Sequence, residues 1–188
     1  MKKIIMNSKV IIGFILCSAI IYMGCRKSFS ETQKLKQNEL QTAAARTTGE
    51  TQLSAVGVYA AVGECTSPAE TAADYVVSIT GDFAGCLYTY VDAYDCSPSG
   101  TYREQGREHF IGTYKGIIGS FWTSYKFESK FEGCSPTGAP LGGEIKGRCQ
   151  HPITAGLGEG AFEGVTGRLD MQDNIAAGNF IIRGHFRF

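Results

Sequence analysis

The sequence predicts an all-β protein: a single eight-stranded antiparallel β-barrel behind an N-terminal signal and a flexible tether. Three observations carry this expectation. From residue 75 onward, successive runs alternate apolar and polar side chains with period two, as half-buried strands do. Turn signals containing Gly, Pro, Ser or Asn separate those runs about every dozen residues. Glycine makes up 24 of 188 residues, well above the usual share of about 7%, and shows no collagen period. In such a chain, excess glycine points to turns, bulges and crowded barrel interiors. Closing eight strands leaves an interior that side chains nearly fill, or that holds one small ligand.

The first 25 residues read as an export signal. Lys2, Lys3 and Lys9 precede an apolar stretch from Val10 to Met23, which is a charged region followed by a hydrophobic one. That stretch is short for a membrane span, which needs roughly 20 apolar residues. It ends in Tyr22-Met23-Gly24-Cys25. A small residue and then cysteine resembles the lipobox of bacterial lipoproteins, with Cys25 as the lipidated, mature N-terminus. Tyr22 departs from the usual Leu. Plain signal cleavage after Gly24 and an uncleaved anchor are the alternatives. No acidic cluster follows Cys25, so the expected address is the periplasmic face of a Gram-negative envelope, held by the lipid anchor.

Residues 26–52 are polar, rich in Lys, Gln, Thr and Ala, and read as the tether. If flexible, it spans about 30 Å root-mean-square, at roughly 5–6 Å times the square root of its length. Residues 53–74 read as an N-terminal extension. Within it, Ser67-Pro68-Ala69-Glu70 has the form of a capping box and predicts one helical turn through about Ala73.

The barrel domain is expected over 75–188. Tyr75–Thr80 is a first strand. Cys86–Tyr94 is a second, with Tyr88, Tyr90, Asp92 and Tyr94 on one face. Thr101–Tyr114 sets Arg103, Gln105, Arg107 and His109 against Tyr102, Glu104, Glu108 and Phe110. Ile118–Glu132 shows the clearest alternation: Phe121, Tyr125, Phe127 and Phe131 against Trp122, Lys126, Glu128 and Lys130. Leu141–Ile153 sets Glu144, Lys146 and Arg148 against Ile145 and Cys149. A last hairpin pairs Thr166–Ile175 with Asn179–Phe188 around Ala176-Ala177-Gly178.

Charge and cysteine usage narrow the class. Eighteen basic and eighteen acidic residues cancel, and no basic block marks a nucleic-acid partner. Beyond the signal lie Cys65, Cys86, Cys96, Cys134 and Cys149. An exported compartment permits disulfides. Cys86–Cys96 and Cys134–Cys149, each flanking an expected turn, are the pairs expected here, with Cys65 left as a buried free thiol. No Cys-x-x-Cys, His-x-His, phosphate loop, dinucleotide fingerprint or Gly-x-Ser-x-Gly elbow occurs. The expectation is no cofactor and no metal.

Near the C-terminus, Gly158-Glu-Gly-Ala-Phe-Glu-Gly-Val-Thr-Gly167 resembles the Gly-x-Gly-x-Phe-Glu-Gly-x-x-Gly segment of plant allene oxide cyclases. More broadly it resembles the allene oxide cyclase barrel-like and dirigent-like proteins. The closing Arg183-Gly184-His185 is similar to uncharacterised bacterial proteins of that type. The resemblance spans 75–188, with its specific part in the last thirty residues. It implies an eight-stranded barrel, trimeric in plant relatives, so a homotrimer is one expected assembly. It carries over no catalytic residue, and a shared fold is weak evidence of shared activity.

Three functional readings follow. The leading one is a non-catalytic module holding a small apolar or phenolic molecule, with Phe121, Tyr125, Phe127, Phe162 and Arg148 as ligand-binding residues. The alternative is a cyclase or isomerase with Glu128, Glu144, His151 or His185 at one mouth, where acid–base chemistry would need two of them at one cavity. Pro152 ends its strand, which places His151 at a barrel rim. The third is a structural envelope module with a filled interior. Opposite charges paired across strands are also the ordinary dressing of a solvated face. Which face of the Ile118–Glu132 strand points inward, and whether space remains beside it, separates the three readings.

Overall fold

The computed structural model describes residues 50–188; the expected signal, the lipidation site Cys25 and most of the tether lie outside them. Eleven strands run in chain order: β1 Thr51–Tyr59, β2 Tyr75–Gly81, β3 Phe83–Cys96, β4 Thr101–Tyr114, β5 Ile117–Lys130, β6 Gly133–Cys134, β7 Pro140–Leu141, β8 Lys146–Pro152, β9 Glu159–Gly160, β10 Thr166–Asn174 and β11 Asn179–Arg187. The only helix among the described residues is a single 3-10 turn, Pro68–Glu70. The main sheet runs β4-β3-β2-β1-β11-β10-β8-β5, and β4 pairs with β5 to close it. Every barrel pairing is antiparallel. The protein is thus a closed eight-stranded antiparallel β-barrel, the fold class expected from the alternation.

The eighth strand is β1, which lies upstream of the expected boundary at residue 75 and begins inside the expected tether. Leu53, Ala55 and Gly57 turn inward, with exposed residues between them. β1 pairs with β2 on one side and β11 on the other. The segment from Ala60 to Asp74 leaves the barrel wall. Its Cys65 is bonded to Cys86 on the outer face of β3. The expected capping box does not form: Ser67 makes no side-chain cap. Glu70 instead reaches His109 on β4, 2.7 Å from Nδ1, and His109 stacks on Trp122 at 4.3 Å.

The cysteine pairs differ from the expected ones. The bridges are Cys65–Cys86 and Cys96–Cys134, and Cys149 is free and buried. Cys86 and Cys96 lie ten residues apart on the extended β3, about 33 Å at the usual rise per residue, so they cannot join. Cys149 points into the barrel, away from the β6–β7 turn that carries Cys134. The two bridges pin loops to the wall, and their presence fits an oxidising, exported setting.

The interior divides along the barrel axis. At one end Phe83, Phe110, Phe121 and Phe186 pack with Ile79 and Ile182, all essentially without solvent exposure. The loop between β8 and β10 folds back across this end, pairing β9 with β5 at Gly119–Gly160. It delivers Phe162, 0% exposed, into the ring cluster at 4.9 Å from Phe121 and 5.5 Å from Phe186. The Gly158–Gly167 segment is therefore a plug. The opposite end, where Tyr59, Tyr75, Cys96 and Phe180 cap their strands, is open.

Candidate functional site

The open half of the barrel holds a cavity of about 630 Å³. Its wall is built by strand alternation. β5 contributes Tyr125 and Phe127, β8 Cys149 and His151, and β10 Met171 and Asp173. From β4 come Tyr102, Glu104 and Glu108. Thr137, Gly138, Ala139 and Pro140, in the loop pinned by Cys96–Cys134, form part of the rim. The β5 face is apolar and faces inward with space beside it. The adjacent strand β4, however, carries two buried carboxylates.

Tyr94 reaches this cavity through a bulge. The β3–β4 register shifts between Val91 and Ala93, so Asp92 is the extra residue. One added residue moves the side chains after it to the other face. Tyr88 and Tyr90 therefore point outward, whereas Tyr94 pairs with Glu104 on the inner face. The expected common face for Tyr88, Tyr90, Asp92 and Tyr94 does not exist.

Glu104 is held by three phenols. Tyr102 Oη donates to its Oε2 at 2.6 Å, Tyr75 Oη to the same oxygen at 3.4 Å, and Tyr125 Oη to Oε1 at 2.8 Å. Tyr125 reaches it by lying across Gly106, its register partner on β4. A Cβ there would sit 2.8 Å from the Tyr125 ring and 2.0 Å from the Tyr90 carbonyl oxygen. Burial first, and then the Glu104 carboxylate, raise the Tyr102 and Tyr125 pKa values far above the ordinary tyrosine value. Both stay protonated donors throughout the physiological range.

Glu108, two β4 repeats deeper, is held by Thr89 Oγ1 at 3.1 Å, Thr123 Oγ1 at 2.9 Å and His151 Nδ1 at 2.5 Å. A carboxylate can only accept, so with Glu108 ionised this contact requires the proton on Nδ1. The His151 side chain is 3% exposed, and Nε2, the other ring nitrogen, has no partner. Its ring stacks near Tyr125 at 6.2 Å. His151 is thus deep in the cavity and not at the rim, because β8 continues through Pro152 toward the plugged end.

A second acidic pair sits nearer the mouth. A Cβ on Gly147 would lie 2.1 Å from Asp173 Oδ2 and 2.2 Å from Glu144 Oε1, so both carboxyl groups converge over that backbone. Burial, then hydrogen bonding and repulsion from Asp173, push the Glu144 pKa up to about 7. Glu144 Oε1 meets no donor other than a proton shared with Asp173. Cys149 lies between this pair and His151 along β8. Burial, and then the nearby Glu108, raise its thiol pKa, which keeps it neutral and a poor nucleophile.

The residues singled out from sequence separate cleanly. Tyr125 and Phe127 are on the cavity wall, and Glu144 and His151 face the same space. Phe121 and Phe162 are in the packed end, because the plug fills that half. Arg148 is 77% exposed on the outer face, opposite Glu128, and Glu128 also pairs with Arg103. His185 is on the outer face of β11, near Glu50. Glu128, His185 and Arg148 therefore do not join the cavity. The sequence placed Glu104 and Glu108 on one strand face with Tyr102 and Phe110 but gave neither a role.

Fold and site together define the class: a closed antiparallel barrel, plugged at one end, with an acidic and aromatic cavity at the other. No family model, no curated protein and no solved structure matches the chain. Among the described residues, no group of three or more His, Cys, Asp or Glu side chains is placed to hold a metal ion. No described helix is long and apolar enough to cross a membrane.

Proposed function

We propose that this protein is an exported, lipid-anchored binding module that holds one small molecule with an apolar or phenolic body in the open half of its barrel. The observation that carries the reading is the cavity of about 630 Å³. That volume lies within the roughly 300–1,000 Å³ range of ligand pockets, and an aromatic wall with few convergent polar groups is their usual lining. The two disulfides support an exported setting; the periplasmic face and the Cys25 anchor belong to the same proposal. β1 starts at the plugged end, away from the cavity mouth. The allene oxide cyclase-like and dirigent-like resemblance is compatible with such a cavity, and a homotrimer is readable from the mass in solution.

One observation favours a second reading, acid–base chemistry of the isomerase kind. Glu108 orients His151 and leaves Nε2 unpartnered beside the cavity, the arrangement a general base requires. This reading uses Glu108 and His151, with Glu144 nearer the mouth.

The test is a thermal-shift screen of apolar and phenolic small molecules against the full chain, repeated on Val91→Trp. Val91 lines the cavity, and the larger ring occupies its space. A true cavity ligand at a hundred times its Kd stabilises the protein by about 2.7 kcal/mol. It does so in the parent and not in the filled variant. Equal shifts in both proteins would place binding elsewhere and overturn the reading.

A further inference from the structure

The cavity has an electrostatic feature that an apolar or phenolic ligand leaves unanswered. Asp74, Glu104, Glu108, Glu144 and Asp173 all line it, and neither Lys nor Arg does. The surrounding charges pair with each other on the outside: Arg103 and Arg148 with Glu128, and Arg168 with Asp170. Inside, Glu104 and Glu108 have their oxygens filled by hydroxyl and imidazole donors. Those hydrogen bonds satisfy the lone pairs but bring no full positive charge from Lys or Arg. A buried carboxylate without a cation is a costly arrangement unless something supplies the countercharge.

A second observation is independent of the carboxylates. His151 is almost wholly buried and lines the cavity, with Nδ1 committed to Glu108 and Nε2 without a donor. In the neutral ring that tautomer makes Nε2 an acceptor. The unmet requirement of the cavity is therefore for N–H or O–H donors, and its unmet charge is positive.

A third observation concerns the wall. Tyr59, Tyr75, Tyr94, Tyr102 and Tyr125 all contribute to it. Aromatic faces attract cations through the ring quadrupole, more strongly as the site is desolvated. Carboxylates that need a countercharge, an acceptor that needs a donor, and tyrosine faces converge on one chemistry.

We propose that the ligand is a protonated organic amine: a primary ammonium group held among the carboxylates and His151, with an apolar or aromatic body against the tyrosines and Phe127. The proposal rests on the cavity-binding reading and specifies its ligand class. A primary ammonium brings three donors and a full charge. A quaternary ammonium brings the charge without a donor for Nε2, and a carboxylate or phosphate ligand meets repulsion from every acidic side chain named.

The experiment is calorimetric titration of the full chain at neutral pH with three probes of matched body: tyramine, 4-ethylphenol and 3-(4-hydroxyphenyl)propionate. Tyramine is expected to bind at least tenfold more tightly than 4-ethylphenol, and the carboxylate probe not at all. Glu104→Gln and, separately, Glu144→Gln are expected to weaken tyramine about tenfold, and by at least fivefold more than they weaken 4-ethylphenol. Glu144 is half-buried near the mouth, so its variant keeps the test open if the Glu104 variant misfolds, as circular dichroism reports. Binding of 4-ethylphenol equal to or tighter than tyramine overturns the amine assignment and leaves the cavity reading standing. Failure of all three probes, with the same null thermal-shift screen, sinks both.

Discussion

Replacing Phe162 with Ala tests whether the Gly158–Gly167 segment is a structural plug. The ring is fully buried, with Phe121, Phe186, Phe110 and Tyr114 centred 4.9, 5.5, 5.6 and 5.9 Å away. Those neighbours sit on three different strands, β4, β5 and β11, whose spacing the closed hydrogen-bond ladder fixes. They cannot collapse onto the void, so the loss belongs in the upper part of the roughly 3–5 kcal/mol range for Phe→Ala. At about 3–5 °C per kcal/mol for a domain of this size, Tm falls by roughly 12–25 °C. Phe127→Ala is the internal comparison: Phe127 is half-buried on the wall of an open cavity. Its removal enlarges a space already open to solvent, and a loss under about 2 kcal/mol is expected. Urea unfolding followed by near-ultraviolet circular dichroism measures both. A Phe162 variant within 1 kcal/mol of the parent, or a Phe127 variant that loses as much, would refute the division of the barrel into a packed end and an open end.

Glu144 supplies a pH signature: its folded pKa of about 7 lies above its ordinary value near 4.5, so the folded state holds more protons in between. Stability then falls as pH rises from about 4.5 to 7, and Glu144→Gln flattens that decline in Tm against pH; an unchanged slope would remove the shared proton with Asp173. Gly147→Ala is expected to drive the two carboxyl groups apart, because the new methyl lies within 2.2 Å of both, and to abolish the same slope at a cost in Tm. Opening either bridge, by Cys65→Ser or Cys134→Ser, is expected to lose about 3–4 kcal/mol from loop closures of 21 and 38 residues. Denaturant titration reads this, and no change would mean the loops are held by the wall alone. Cys149 is expected to resist iodoacetamide in the folded chain and to react once unfolded, since burial and Glu108 keep it a thiol; fast native labelling would contradict that.

Much of the barrel was legible because its strands are long and half-buried, and β5 announces itself through Phe121, Tyr125 and Phe127 on one face, continued by Phe131 just beyond it. β1 was not, for a physical reason. Its inner face shrinks from Leu53 through Ala55 to Gly57, because side chains of β2 and β11 fill the space beside it: a Cβ on Gly57 would meet Val77 Cγ1 at 2.8 Å. Its outer face carries Val56 and Val58, both exposed. Small residues inside and apolar ones outside erase the alternation. The β3 bulge misled for another reason, since one extra residue reverses every facing after it and leaves no mark in composition. The disulfides failed because flanking a turn is a weak guide when one cysteine lies on an inner face and another at the far end of an extended strand.

The site was half visible. Glu104 and Glu108 alternate in step with Tyr102 and Phe110, so the pattern itself placed them inside. Assigning charge to solvent by habit hid this, although the neighbouring threonine and tyrosine hydroxyls that hold them are spread over four strands and become neighbours only on closure. No local motif can encode Thr89, Thr123 and His151 around one carboxylate. What the chain does encode locally is the gradient along the axis. β2, β3, β4 and β10 carry phenylalanine, leucine or isoleucine toward the plugged end and hydroxyl or carboxyl groups toward the open one. β4 runs Tyr102, Glu104, Glu108, Phe110 and Tyr114; β5, reversed, runs Phe121, Thr123 and Tyr125. Antiparallel pairing aligns these opposite gradients at the same end. The packed end supplies the stability that lets the open end keep carboxylates without a Lys or Arg partner and an imidazole Nε2 without a hydrogen-bond partner, and a ligand that meets those groups would relieve them.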